Sequence, residues 1–194
     1  PYGMTGYKLA FELNVPQEQA EELVKKYLDA FPDLKNWMQT SQEYVIENGY
    51  MRSIGGRIRH LPRAKQYAEK YGTVILDSLQ LWKDYNHDPH IYAHMKKVRR
   101  ELKNYLNNGM NFQIQSFAAS IVNRAAIAIA KEFKTKNMQA TICMNVHDEL
   151  VCEAPDHEVQ KVCEIMQRNM ENIVQLSVPL KAEPQVATVY GATK

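Results

Sequence analysis

The chain has 194 residues, 45% of them hydrophobic, enough to form a core as one large domain or two small ones. Its 24 Lys and Arg against 22 Asp and Glu leave a net charge of +2, too near neutral for overall charge to name a partner. No apolar run approaches the roughly 18 residues of a membrane-spanning helix, and the 3 cysteines lack both the even number of a disulfide framework and the CxxC spacing of a zinc site.

After an opening with Gly3 and Gly6, Val15-Pro16 reads as a helix start with proline in the first turn. Ala20, Leu23, Val24, Tyr27, Leu28 and Phe31 then recur at helical spacing until Pro32. Leu34, Trp37, Met38, Tyr44 and Val45 mark a second helix, closed by Asn48-Gly49. Both stripes are expected to serve as core. Tyr50–Ile54 and Ile58–Leu61, separated by Gly55-Gly56, read as a β-hairpin or an extended arm. It carries a run of cations: Arg52, Arg57, Arg59, His60, Arg63 and Lys65. Such a run can neutralise phosphates.

Residues 66–95 give the weakest pattern, with room for one short helix around Ile75–Trp82 and a loop at Asn86-His87-Asp88-Pro89. Helical spacing resumes at Met95, with a second cationic run at Lys96, Lys97, Arg99, Arg100 and Lys103. Phosphates or a solvated helix face would satisfy that run equally. A separate helix is expected over 111–133, with an alanine-rich face that includes Ala118, Ala119, Ala125 and Ala126.

Two β-branched and apolar runs then flank His147-Asp148-Glu149, predicting a hairpin over about 138–153 with its acids at the tip. A tight turn is a rigid mount for a carboxylate, and hard Mg²⁺ takes oxygen ligands from one or two carboxylates plus substrate phosphates. A helix starting near Pro155-Asp156 and a last strand at Val178–Glu183 complete the pattern. The fold class is α+β, with helices packed on an antiparallel sheet and a helical region preceding it. Cys143, Cys152 and Cys163 sit in apolar patterns and are expected to be buried, reduced thiols, which fits a cytoplasmic compartment.

The blocks Tyr2-Gly3-Met4, Phe31-Pro32, Gly55-Gly56-Arg57-Ile58-Arg59-His60-Leu61-Pro62, Asn111-Phe112-Gln113-Ile114-Gln115, Val146-His147-Asp148-Glu149-Leu150-Val151 and Val178-Pro179-Leu180 occur in one order. In that order they resemble the C-terminal third or so of the polymerase domain of family A DNA polymerases. Residues at about 66–92 look like an insertion, which would fit a phage-type polymerase. The resemblance implies a distal fingers part over 1–49, a connecting arm over 50–110, and a palm over 111–194 bearing motif C.

By the same resemblance, Asp148 is a ligand of a catalytic magnesium pair, Glu149 supports the site near the primer end, and His147 contacts the primer backbone. Arg57 and Arg59 grip template–primer DNA, Asn111 and Gln115 follow the duplex minor groove, and Tyr2 sits beside the templating base. Without the surrounding blocks, His147 would read as a turn residue satisfied by local backbone. Ser116 stands where the family usually has glycine.

No string like the family's motif A occurs, and neither do the fingers-helix Arg and Lys that hold the triphosphate of a dNTP. The expectation is half an active site, inactive until a second polypeptide or segment supplies the rest. The Leu23/Tyr27 and Ala118/Ala125 stripes are the expected contact surface for it. Two rival readings are a non-catalytic DNA-binding or assembly module with a palm-like fold, and a metal-dependent phosphoesterase centred on His147, Asp148 and Glu149, for which His87, Asp88 and His90 would be the second cluster.

Overall fold

A computed structural model describes residues 6–192, which form two compact units, one ending at Ile114 and one beginning at Gln115. The first unit opens with helix α1 (Gly6–Leu13), α2 (Gln17–Ala30) and α3 (Pro32–Asn48). Pro16 stands immediately before α2, and Pro32 starts α3, where its missing N–H is not needed. Gly49 closes α3 in the left-handed region at φ +71°, its N–H donating to Val45 O at 2.9 Å.

Strands β1 (Tyr50–Arg52) and β2 (Ile58–His60) then pair antiparallel, with Met51 opposite Arg59. Gly56 N donates to Ser53 O and Ser53 N to Arg57 O, each at 2.9 Å, closing the turn. Gly56 holds φ +82° there, a conformation in which a side chain would be strained.

Residues 62–85 are more regular than the sequence pattern indicated. They form α4 (Pro62–Tyr71), a 3₁₀ turn (Thr73–Leu76) and α5 (Ser78–Tyr85). Asp77 caps α5, its carboxylate accepting from Leu79 N at 2.8 Å and Gln80 N at 3.3 Å, and the two bonds pull its pKa below the ordinary range. Asp88 accepts from His90 N at 2.8 Å and Ile91 N at 3.1 Å, ahead of Pro89 at the start of the next helix. The loop at 86–88 is therefore a helix cap.

That helix, α6 (Pro89–Thr135), runs unbroken for 47 residues, where two helices were expected. Asn107-Asn108-Gly109 resembles a break, but Gly109 is buried for a packing reason: a Cβ there would lie 2.5 Å from Val45 Cγ2. The core of the first unit joins Val45, Met51, Leu61, Ala64, Ile75 and Leu81 to Met95, Val98, Leu102 and Leu106 of α6. In α2 the expected core stripe divides. Ala20 is fully buried, whereas Leu23, Tyr27 and Phe31 are exposed.

The second unit contains the C-terminal part of α6, strands β3 (Thr141–Val146) and β4 (Glu149–Glu153), a 3₁₀ turn (Asp156–Glu158) and α7 (Val159–Asn172). Val122, Ala125, Ile129 and Phe133 pack with Ala140, Leu150, Val162 and Ile165. Ala125 thus belongs to this core and is not open to a partner, contrary to expectation. Glu132 bonds Arg168 and Lys136 and accepts from Asn169 Nδ2 at 2.9 Å, which ties α6 to α7. Those partners, Arg168 foremost, lower its pKa to about 2.

Two further expectations differ from the structure. Residues 178–183 form no strand, and the only sheet partner of β3 among the described residues is β4. Cys143 is exposed, because the register shifts between Ile142, opposite Cys152, and Met144, opposite Val151. Cys143 is the extra residue of a β-bulge, so the in–out alternation that would have buried it breaks there. Cys152 is half-buried, and desolvation raises its thiol pKa to about 11.

Candidate functional site

The β3–β4 hairpin positions the acids. Val146 pairs with Glu149 across a two-residue loop made of His147 and Asp148. His147 takes φ +56°, while Asp148 is not among the positive-φ residues, the sign pattern of a type II′ hairpin turn. Leu150 and Cys152 point toward the core with Ile142, so alternation sets Glu149 and Val151 on the opposite face. The buried side of β4 thereby anchors the strand whose first residue is an acid.

His147, Asp148 and Glu149 are all exposed. Among the described residues, neither carboxylate has a hydrogen bond or an ion pair. Nor do the described residues contain a group of three or more His, Cys, Asp or Glu able to hold a metal ion. The tip offers two hard oxygen donors and an imidazole. Magnesium would need further oxygens from elsewhere.

Arg57 and Arg59 lie on the other hairpin, in the first unit. Both are exposed, and neither has an ion pair among the described residues. Met51, opposite Arg59, anchors that hairpin in the core at 4% exposure. Met51 and Arg59 share one rung and so project on the same sheet face, the methionine buried and the arginine exposed.

Asn111 and Gln115 both lie on α6, four residues apart and so on one helix face. Asn111 is half-buried and Gln115 exposed, in the first and second units respectively. Tyr2 lies outside the described residues. His87 and His90 are exposed around a helix cap in which Asp88 already serves backbone donors, so these three residues are explained without a ligand.

One contributor is not evident from periodicity. Gln113 Nε2 donates to Ser41 Oγ at 2.9 Å, linking α6 to α3. Ser41 and Gln113 line an open groove of about 460 Å³ with Trp37, Tyr44, Met51 and Ser53. This bond ties α6 to α3 two residues from Asn111. A polar residue between two polar family positions was the available signal. Ser116, on the same helix, is buried at 7% exposure, and its hydroxyl has no partner among the described residues.

DNA polymerase I of Caldicellulosiruptor bescii is 29% identical over 194 residues, covering 100% of this chain and 19% of that protein. The enzyme from Geobacillus stearothermophilus is 28% identical over 199 residues, covering 99% and 18%. The thermostable DNA polymerase I of Thermus aquaticus is 26% identical over 193 residues, covering 100% and 19%. The chain therefore spans about a fifth of the length of these relatives. The polymerase domain of Pol1 from M. smegmatis, solved in complex with DNA primer-template and dNTP, superposes with a TM-score of 0.70. It is 26% identical, and the match covers 93% of this chain and 26% of that one. Residues 1–192 match the family model for DNA polymerase family A, and the chain belongs to that family.

Proposed function

We propose that the chain is the C-terminal portion of a DNA-directed DNA polymerase and contributes one acidic half of its nucleotidyl-transfer site. The family match over residues 1–192 carries this reading. In it, residues 1–49 are the distal fingers, 50–110 the connecting arm and 111–194 the palm.

Asp148 is the metal ligand, and Glu149 beside it supports the site near the primer end. Their exposed, unpartnered oxygens suit a hard divalent cation, so the residues fit one side of a magnesium site. Magnesium, when bound, supplies Lewis acidity toward the attacking primer hydroxyl and the leaving pyrophosphate. The remaining acids and the cations that hold the triphosphate come from another segment or a second polypeptide.

The residues of this chain otherwise bind and orient. His147 holds the primer backbone near its 3′ end. Arg57 and Arg59 present planar forks suited to bidentate phosphate contact. Asn111 and Gln115 place amide donors against minor-groove acceptors that recur at the same positions in every correct pair, and so sense pair shape without reading sequence.

The test is Asp148→Ala in the complete polymerase domain. Primer extension is expected to fall to background while duplex binding stays within a few-fold of wild type. Extension that survives the substitution would remove Asp148 from the chemistry.

A further inference from the structure

Helix α6 presents a further surface that the proposed site uses only at its end, Asn111. At about 100° per residue, Lys97, Arg100, Asn104, Asn107 and Asn111 fall within about 40° of one line along the helix. The opposite face carries Met95, Val98, Leu102 and Leu106, each no more than 5% exposed. The 62–85 segment covers that apolar face: Tyr67, Tyr71, Ile75, Leu81 and Tyr85 all pack into the same core.

Contacts within and beside α6 occupy some of its charges. Arg99 Nε donates to Leu76 O at 3.1 Å, and Lys96 lies over the Tyr92 ring at 5.3 Å. Glu101, the acid beside the line, accepts from Tyr67 Oη at 2.7 Å. Lys97 and Arg100 are exposed, and among the described residues they have no ion pair or hydrogen bond. Two free cations thus stand on the face that ends at Asn111.

We infer that this face is a rail for the backbone of duplex DNA, and that residues 62–85 are the brace that holds it outward. The inference rests on the proposed role of Asn111 at the duplex. From Lys97 to Asn111 the helix advances about 21 Å, the length of roughly six steps along one strand at about 3.4 Å each. A single strand fits the rail poorly, because stacking platforms need exposed aromatic rings. The exposed large apolar residues of this stretch of α6 are Ile91 and Ile114, outside the rail and not aromatic. Phosphate neutralisation by Lys97 and Arg100, with the asparagine amides between them and Asn111, describes the surface best.

The experiment pairs Lys97→Gln with Arg100→Gln in the complete polymerase domain and measures affinity for a primer–template against salt. Two lost phosphate contacts reduce the log–log salt slope by about 2, so the binding deficit shrinks roughly tenfold between about 50 and 200 mM salt. Trimming the duplex so that it ends at the active site should abolish the difference. Parallel salt slopes for variant and wild type would overturn the inference. So would an equal slope change on single-stranded DNA, or the same change in a Lys131→Gln, Lys161→Gln variant that removes two charges elsewhere. Asp148→Ala reads out extension and leaves the salt slope untouched, so failure of the rail and failure of the active-site reading are separable.

Discussion

At the scale of single residues, His147 carries a conflict between stability and use. Its φ of +56° places a residue with a Cβ in the left-handed region, which costs about 1–2 kcal/mol for residues other than glycine. A two-residue hairpin loop normally gives such a position to Gly, Asn or Asp. Strain of this kind persists where the surroundings enforce it, and it clusters at functional sites. His147→Gly should therefore raise stability by about 1 kcal/mol, read as a higher urea midpoint at unchanged m. On the role proposed for His147, primer extension by the complete domain should fall as well, because glycine has no imidazole. A lower midpoint would mean that the loop is relaxed with histidine in it.

At the scale of elements, Gly109 decides the continuity of α6. Alanine normally gains about 1 kcal/mol over glycine inside a helix. Here a Cβ would stand 2.5 Å from Val45 Cγ2 and 3.1 Å from Leu61 Cδ1, both in the core. Overpacking of that sort costs about 1–3 kcal/mol, so the clash outweighs the propensity. Gly109→Ala is expected to lower thermal stability by up to about 2 kcal/mol; a stabilised variant would show that α3 can yield.

The same glycine explains where pattern reading failed. Asn107-Asn108-Gly109 has the composition of a helix end, and only the proximity of α3 makes glycine a packing residue. The two hairpins were legible because their turn residues and β-branched runs are local signals. α4 was not, and α5 only in part through the short helix expected around Ile75–Trp82, because Tyr67, Tyr71 and Tyr85 supply much of their packing and tyrosine hydroxyls blur an apolar stripe. The expected strand at 178–183 fails for a different reason. A strand needs a neighbour, and its sequence pattern says nothing about whether one is present. The position of Asp148 and Glu149 at a hairpin tip was legible from the flanking runs, whereas the Gln113–Ser41 bond joins residues 72 apart and was not.

At the scale of the whole molecule, the exposed surface argues for work done in company. Phe11 is 84% exposed, Tyr7 72% and Tyr27 47%, all within α1 and α2. Among the described residues the β3–β4 sheet has two strands and so two open edges, a form that is marginal without further strands or a covering helix. Here α7 and α6 cover one face, but the edges still present backbone donors and acceptors to any strand that approaches. Two acids at one hairpin tip also leave most of a magnesium coordination shell unfilled. Both shortages, of strand partners and of oxygen ligands, would be met by one acidic strand docking beside this hairpin. The chain alone should therefore show no primer extension at any magnesium concentration. Adding a polypeptide with the remaining polymerase segments should produce extension in proportion to the complex formed, followed by co-migration in size exclusion. Extension by the purified chain by itself would mean that these residues assemble a complete metal site unaided, and the half-site account would fall.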